Sequence, residues 1–225
     1  MVVTVNVLVE GQTEENFINK VVAPSFYQLN IFLMPMLMST SSSGKGGAIN
    51  FDRLKFHLRN VLKQRQDTYI TTFFDLYALD NSFPQFEESK KFNNLYEQVE
   101  CVESALKEEM SKNIEFRLER FIPYIQPHEY EGLLFSDVEK FANVEPNWIR
   151  YLENLEIIRN AYENPEYIND GYETAPSKRL NILCPKFKKT SHGVIVAQNI
   201  TLEKIEEQCP HFKLWLQKLR NLKAL

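Results

Sequence analysis

Hydrophobic residues form continuous runs in some segments of the chain and recur at helical spacing in others. This alternation predicts strands separated by helices. Apolar, β-branched runs predict strands at residues 2–9, 31–38, 69–74 and 121–125. Apolar residues at helical spacing predict a helix over residues 14–23, one capped by Asn50, and a long one over 95–110. The order β-α-β-α-β-α-β predicts an α/β fold with a mostly parallel sheet flanked by helices.

The remaining chain predicts a less regular second part. A polar run at 39–47 predicts a loop, and Glu129 begins a segment that we expect to be helical. Residues 164–189 are rich in Pro, Asn, Gly and Lys, which predicts a long surface excursion before a final helix over 202–222. We therefore expect an α/β core at residues 1–163, with the basic loop and C-terminal helix of residues 164–225 packed on it.

Composition narrows the class of protein. The 225 residues are 44% hydrophobic, enough for a sizeable core. Three widely spaced cysteines without a C-x-x-C pattern argue against a disulfide framework or a zinc site and suit a reducing compartment. No signal-peptide pattern is evident, and the apolar run at 30–38 is too short to span a bilayer. We expect a cytoplasmic protein with no membrane partner.

Charge is unevenly distributed along the sequence. Residues 176–225 contain ten Lys or Arg against three acids, a balance of +7, whereas residues 1–175 carry −11. Such asymmetry allows the basic part to bind a polyanion while carboxylates in the acidic part hold a metal ion. The alternative is that the lysines are ordinary solvated charges. On the first interpretation, we expect a phosphate-contacting surface formed by Lys178, Arg179, Lys186, Lys188 and Lys189.

Acidic residues follow three of the predicted strands. Glu10 follows the first strand, Asp75 follows the third, and Glu129 and Glu131 follow the fourth. Since the carboxyl ends of parallel strands form the ligand crevice of such sheets, these side chains should converge. Carboxylate oxygens suit Mg²⁺ or Mn²⁺, and the four histidines lack the paired spacing of zinc ligands. The pattern predicts a metal site.

Each acid also has a plainer interpretation. Thr13 is a candidate N-cap, so Glu14 and Glu15 could simply stabilise the first turn of a helix. Asp75 could form a turn, and Glu129 and Glu131 could begin an exposed helix.

Three segments carry a resemblance to a known module. They are VLVEGQTE at residues 7–14, the strand ending at Asp75, and PHEYEGLLF at residues 127–135. Together they resemble a TOPRIM domain, the metal-binding module of topoisomerases, primases and OLD-type nucleases. The segments INDG at 168–171, ETAPSKR at 173–179 and CPHF at 209–212 extend the resemblance to the bacterial family filed as domain of unknown function 4276.

This resemblance implies roles for individual residues. Glu10 matches the TOPRIM glutamate that serves as metal ligand or acid–base group, and Glu14 matches a second metal-binding glutamate. Asp75 matches the first acid of the D-x-D pair, but Tyr77 replaces the second. Asp80, or Glu129 with Glu131, could compensate, or the protein binds one metal or none. Lys178 and Arg179 could neutralise a phosphate near the metal.

The expected function is therefore a Mg²⁺- or Mn²⁺-dependent nuclease, with Glu10, Asp75 and Lys178 as catalytic residues and DNA favoured over RNA. The resemblance also implies an ATPase partner and a role in defence against phages or plasmids. A second possibility is an inactive TOPRIM-like module that binds nucleic acid or a partner without cutting. A nucleotidyl or phosphoryl transferase would need a nucleotide site that the sequence does not show.

Overall fold

A parallel sheet lies at the centre of the protein. The computed structural model describes residues 1–38, 50–113, 117–169 and 171–225, so the loop expected at 39–47 lies outside the described residues. Every strand pairing in this part of the chain is parallel, in the order β2-β1-β3-β4, with β5 also paired to β3. The strands are β1 Val3–Val9, β2 Ile31–Leu37, β3 Thr68–Asp75, β4 Phe121–Ile122 and β5 Ile125–Gln126.

Helices cover both faces of this sheet, so the predicted α/β class is confirmed. Strand β3 lies between neighbours and under helices, and all eight of its residues are buried. The α-helices are α1 Gln12–Phe17, α2 Phe51–Gln64, α3 Phe86–Ser89, α4 Leu95–Asn113, α5 Phe141–Val144, α6 Leu152–Asn160, α7 Pro176–Leu183, α8 Val194–Ile200, α9 Leu202–Gln208 and α10 Pro210–Arg220. None of the described helices is long and apolar enough to cross a membrane.

The two faces of the sheet carry separate hydrophobic cores. Odd positions of β1, such as Val5 and Val7, pack with α1 and with the helices near the C-terminus. On the opposite face, Leu8 and Ile70 pack with apolar residues of α2 and α4. The long amphipathic helix and the Asn50 cap were both predicted: Asn50 Oδ1 accepts a hydrogen bond of 2.9 Å from the Asp52 backbone N–H.

Helix α10 closes the first of these cores. The Trp215 indole N–H donates a hydrogen bond of 2.8 Å to the Thr71 hydroxyl of β3, and the Phe212 ring lies 5.9 Å from that of Phe17. Glu166 accepts hydrogen bonds of 2.9 Å from the backbone N–H groups of both His211 and Phe212, at the first turn of α10. The carboxylate of Glu166, which is distant in the sequence, thus caps this helix. Cys209, the residue at the N-cap position, provides no side-chain cap.

Several predicted boundaries were wrong. The N-cap of α1 is Gly11, while Thr13 is buried in the first turn. Pro24 does not end the first helical segment, because π- and 3₁₀-helical turns continue to Leu29 and a proline is tolerated in the first turn of the latter. The fourth predicted strand is two short strands, β4 and β5, and the helix expected from Glu129 is a 3₁₀ segment, Tyr130–Ser136.

The second part of the chain is also more ordered than predicted. The expected surface excursion at 164–189 contains helix α7 and buried residues, among them Glu166 and Ile168. The single helix expected at 202–222 is two helices, α9 and α10, separated at Cys209 because Pro210 cannot continue a helix. One hydrophobic core contains residues from both predicted segments, such as Phe17 and Phe212.

Candidate metal centre

Glu10 and Asp75 lie side by side at the carboxyl edge of the sheet. Glu10 follows β1, and Asp75 is the last residue of the neighbouring β3. The Asp75 backbone N–H donates a hydrogen bond of 2.6 Å to Glu10 Oε1. Asp75 Oδ1 in turn accepts a hydrogen bond of 2.8 Å from the Tyr130 backbone N–H. The parallel register therefore brings together two acids that are 65 residues apart, as the sequence predicted.

The segment after β5 contributes two further acids. Glu131 lies in the 3₁₀ segment that begins at Tyr130 and is only 2% exposed. Glu129 is half-buried and is held by Ser177 at the start of α7, whose backbone N–H and hydroxyl donate hydrogen bonds of 2.9 and 3.1 Å to its two carboxylate oxygens. Glu129 is thus fixed by its neighbours, whereas Glu131 is enclosed.

Glu14 completes the acidic group from the first turn of α1. The residue is 5% exposed, so it does not simply stabilise the helix from solvent. A β-carbon at Gly11 would lie 3.3 Å from Glu14 Oε2, so the glycine leaves room for this carboxylate above the start of the helix. The sharp turn between β1 and α1 therefore presents both Glu10 and Glu14 to the same site.

Lys189 is the cation beside these acids. Its ammonium nitrogen lies 3.7 Å from Glu131 Oε1, and its side chain is 55% exposed. Burial acts to lower the pKa of Lys189, but the surrounding carboxylates, Glu131 foremost, raise it above its ordinary value. The lysine therefore stays charged at the mouth of the site.

The electrostatics of the group disfavour full ionisation. Burial, followed by the charge of Glu14, raises the pKa of Glu10 from 4.5 to about 8, against the lowering effects of the Asp75 N–H and Lys189. Burial and the four nearby glutamates raise the pKa of Asp75 well above its usual range. Burial also raises the pKa of Glu131 to about 7, although Lys189 acts to lower it. Near neutral pH these acids hold protons that a cation could displace.

Unpaired polar atoms mark the same place. Within the described ranges, Glu131 Oε1 and the Tyr130 hydroxyl are buried side-chain atoms without a hydrogen-bond partner. The Lys189 ammonium, 3.7 Å from Glu131 Oε1, is too far away for a hydrogen bond, and a coordinated cation would give this buried oxygen a closer partner. The donors are all carboxylates, which suits Mg²⁺ or Mn²⁺. The side chains of the described residues do not form a ready-made three-ligand set, so binding would require them to move.

The predicted basic residues do not all lie together. Lys189 lies against the acids. Lys178, next to Ser177 on α7, has its ammonium group 4.6 Å from the Tyr172 ring. Arg179 is engaged internally, donating to the Thr174 carbonyl at 2.6 Å and the Tyr162 hydroxyl at 2.7 Å.

Lys186 and Lys188 line a separate open cavity of about 560 Å³ together with Trp148 and His192. The lysines of this segment could not be distinguished from the sequence. Their surroundings differ only because distant parts of the chain pack around them.

Tyr77 takes the place of the second acid that the resemblance implies, and Asp80 was a candidate to compensate for it. Both residues form other hydrogen bonds. The Tyr77 hydroxyl accepts a hydrogen bond of 3.2 Å from the Asn169 amide. Asp80 accepts a hydrogen bond of 2.8 Å from the Ser82 backbone N–H, and the Ser82 hydroxyl accepts one from the first backbone N–H of α2.

Two residues of the site were missed from the sequence. Ser177 lies within the ETAPSKR segment, but only the structure shows that it holds Glu129. Tyr130 lies within the PHEYEGLLF segment, but the burial of its hydroxyl could not be inferred from the sequence pattern.

Comparison with known proteins identifies the family. The family described as "Domain of unknown function (DUF4276)" matches residues 9–220, and the chain therefore belongs to it. No curated protein and no solved structure matches the chain.

Proposed function

We propose that this member of the DUF4276 family is a divalent-metal-dependent nuclease that cleaves phosphodiester bonds at the acidic edge of its sheet. The observation that supports this most is the convergence of Glu10, Asp75 and Glu131, with one oxygen of Glu131 buried and without a hydrogen bond. Nearby Lys189 offsets only part of this charge. A site that concentrates buried carboxylates favours a hard divalent cation.

Each residue has a specific proposed role. Glu10, Asp75 and Glu131 hold the ion, and Glu14 and Glu129 add negative charge and outer ligands. A bound Mg²⁺ or Mn²⁺ supplies positive charge that polarises a phosphate and lowers the pKa of coordinated water. Glu10 acts as a metal ligand or as an acid–base group.

The nucleic-acid phosphates would be met by lysines. Lys189 is exposed at the mouth and within reach of Glu131, so it can pair with a phosphate on the ion. Lys178 is a second candidate because its neighbour Ser177 contacts Glu129. Lys186 and Lys188 would contact the strand farther away, and Arg179 would chiefly hold its own segment in place. DNA is the favoured polymer.

The test is cleavage by the purified full chain. Circular and linear DNA and RNA are incubated with Mn²⁺, Mg²⁺ or EDTA. We expect cleavage with Mn²⁺ and a decrease of about 100-fold or more in Glu10→Gln, since loss of one anionic ligand weakens the metal site strongly. Glu15→Gln, a neighbouring acid on α1 assigned no role, is the matched control and should cleave like the parent. Equal rates for the parent and a folded Glu10→Gln would refute the proposal.

A second candidate function has its own supporting observations. Tyr77 replaces the second acid expected by resemblance, and no three ligand side chains in the described chain are prearranged around one point. These features favour a module that binds nucleic acid or a partner without cutting. Binding that persists without cleavage in any metal would support this candidate over the nuclease.

The cellular setting is proposed from the TOPRIM resemblance. A neighbouring ATPase would supply the partner that OLD-type nucleases suggest, and the activity would serve cytoplasmic defence against phages or plasmids. Co-purification of the chain with such an ATPase would test the pairing.

A further inference from the structure

A cavity of about 400 Å³ is lined by residues that directly follow Asp75 and directly precede Glu129 in the sequence. Tyr77 lies two residues beyond Asp75, and His128 immediately precedes Glu129. Both side chains line the cavity, and the Tyr77 backbone N–H donates a hydrogen bond of 3.2 Å to the His128 carbonyl. The backbone that carries two of the proposed metal-site acids therefore continues directly into the wall of this cavity.

The cavity combines an apolar surface with amide groups. Leu76, Leu79 and Phe86 form its apolar part. Its polar part includes Asn81 and Gln98, whose amides can both donate and accept hydrogen bonds. A volume of this size with a few convergent polar groups is typical of a site for a small, flat, partly polar group.

Tyr77 gives the cavity an exposed aromatic face. The side chain is 44% exposed although it lies beside the buried acids, and its ring centroid is 6.2 Å from that of His128. The Asn169 amide holds the Tyr77 hydroxyl at 3.2 Å and the His128 ring nitrogen at 3.3 Å. His128 has a φ of 59°, an uncommon left-handed conformation for a residue with a side chain. The aromatic face is therefore fixed in position before any ligand arrives.

We propose that this cavity binds one unpaired nucleobase of the strand being cut, stacked on Tyr77 and contacted on its edge by Asn81 and Gln98. This inference rests on the proposed nuclease function, because it places a phosphate of the same strand at the acids. A nucleobase matches the cavity in having a flat π-face and an edge of donors and acceptors. Lys90 also lines the cavity, where its ammonium group pairs with Glu87 at 2.6 Å.

The proposal has a direct consequence for the substrate. A base within a duplex is stacked and paired, so it cannot enter a side pocket without being extruded. The protein should therefore favour single strands, or unpaired regions of duplexes, over fully paired DNA or RNA.

Binding is measured separately from cleavage to test this. Fluorescein-labelled 12-nucleotide single strands of DNA and of RNA, the same strands with one abasic position in turn, and a matched duplex are titrated by anisotropy in EDTA. The variants are Tyr77→Ala, Tyr77→Phe and, as an exposed tyrosine outside the cavity, Tyr27→Ala. The parent and each variant are also assayed for cleavage with Mn²⁺.

We expect Tyr77→Ala to lose about tenfold in affinity for single strands, since base–aromatic stacking is worth that much or more. Tyr77→Phe and Tyr27→Ala should bind like the parent. An abasic position should weaken the parent by a similar factor and Tyr77→Ala hardly at all. If the parent cleaves with Mn²⁺ but Tyr77→Ala binds and cleaves like it, the base pocket is wrong and the nuclease stands. If the parent neither cleaves nor binds, both proposals are overturned.

Discussion

Replacing Glu131 by glutamine should stabilise the protein at alkaline pH when no metal is present. Glu131 is 2% exposed, has one oxygen without a hydrogen-bond partner, and faces other acids. Its pKa is about 7 in the folded protein against an ordinary 4.5. A raised pKa means that the stability contributed by the protonated group is fully present below about pH 4.5. That contribution is lost as the pH rises through about 7.

The size of the effect follows from that difference in pKa. At about 1.4 kcal/mol per pKa unit, ionising Glu131 costs the folded state about 3 kcal/mol well above pH 7. Glutamine has nearly the same shape and carries no charge, so it avoids this cost. Its amide must still find partners in a buried place, and we therefore expect Glu131→Gln to be more stable than the parent by about 2 kcal/mol at pH 8.5. At pH 5 the two should differ little.

Urea unfolding in EDTA at pH 5, 7 and 8.5 measures this. The parent, Glu131→Gln and the exposed control Glu156→Gln are compared, and the slope with urea should be the same for all three. Glu10 and Asp75 add a pH dependence of the same sign to every variant, so the informative quantity is the difference between parent and mutant. If that difference is the same at pH 5 and at pH 8.5, the charge of Glu131 is not the cause and the reasoning is refuted.

Three further predictions follow from the contacts described. Mn²⁺ affinity, measured by calorimetry, should rise between pH 6 and 8.5 with release of protons, because the ion displaces those held by Glu10 and its neighbours; a flat profile would contradict this. Lys189→Ala should reduce the log–log salt dependence of single-strand binding by about 0.7, the value for one phosphate contact, and an unchanged slope would exclude Lys189 from the phosphates. Glu166→Ala should lower the free energy of unfolding by about 3 kcal/mol, because it leaves the N–H groups of His211 and Phe212 without their acceptor; a loss below 1 kcal/mol in urea unfolding would show that they find another.

The sequence predicted the parallel sheet and the acidic edge because both depend on local pattern. Continuous β-branched runs specify strands buried on both faces, and the position of an acid directly after such a run places it at the ligand edge. Glu10 and Asp75 were found in this way. Glu131 was named too, but it is buried in a 3₁₀ segment that packs against helices from later in the chain, and spacing does not encode such packing.

What the sequence could not provide were contacts between distant segments. Ser177 holding Glu129 and Glu166 capping α10 each join residues about 45 or more positions apart. A preference for helix or strand says nothing about such pairings, since it concerns only neighbours along the chain. The same limit explains the basic segment, where Lys189 meets the acids while Lys186 lines a different cavity.

The packing of α10 on the sheet has a consequence for the protein during its synthesis. Thr71 and Phe17 are translated well before Trp215 and Phe212, the residues that cover them. Until those late residues leave the ribosome, the part of this core that α10 covers stays exposed, and contacts of such long sequence separation form slowly. The nascent chain would therefore depend on chaperones, and a message truncated before α10 would yield an aggregation-prone product.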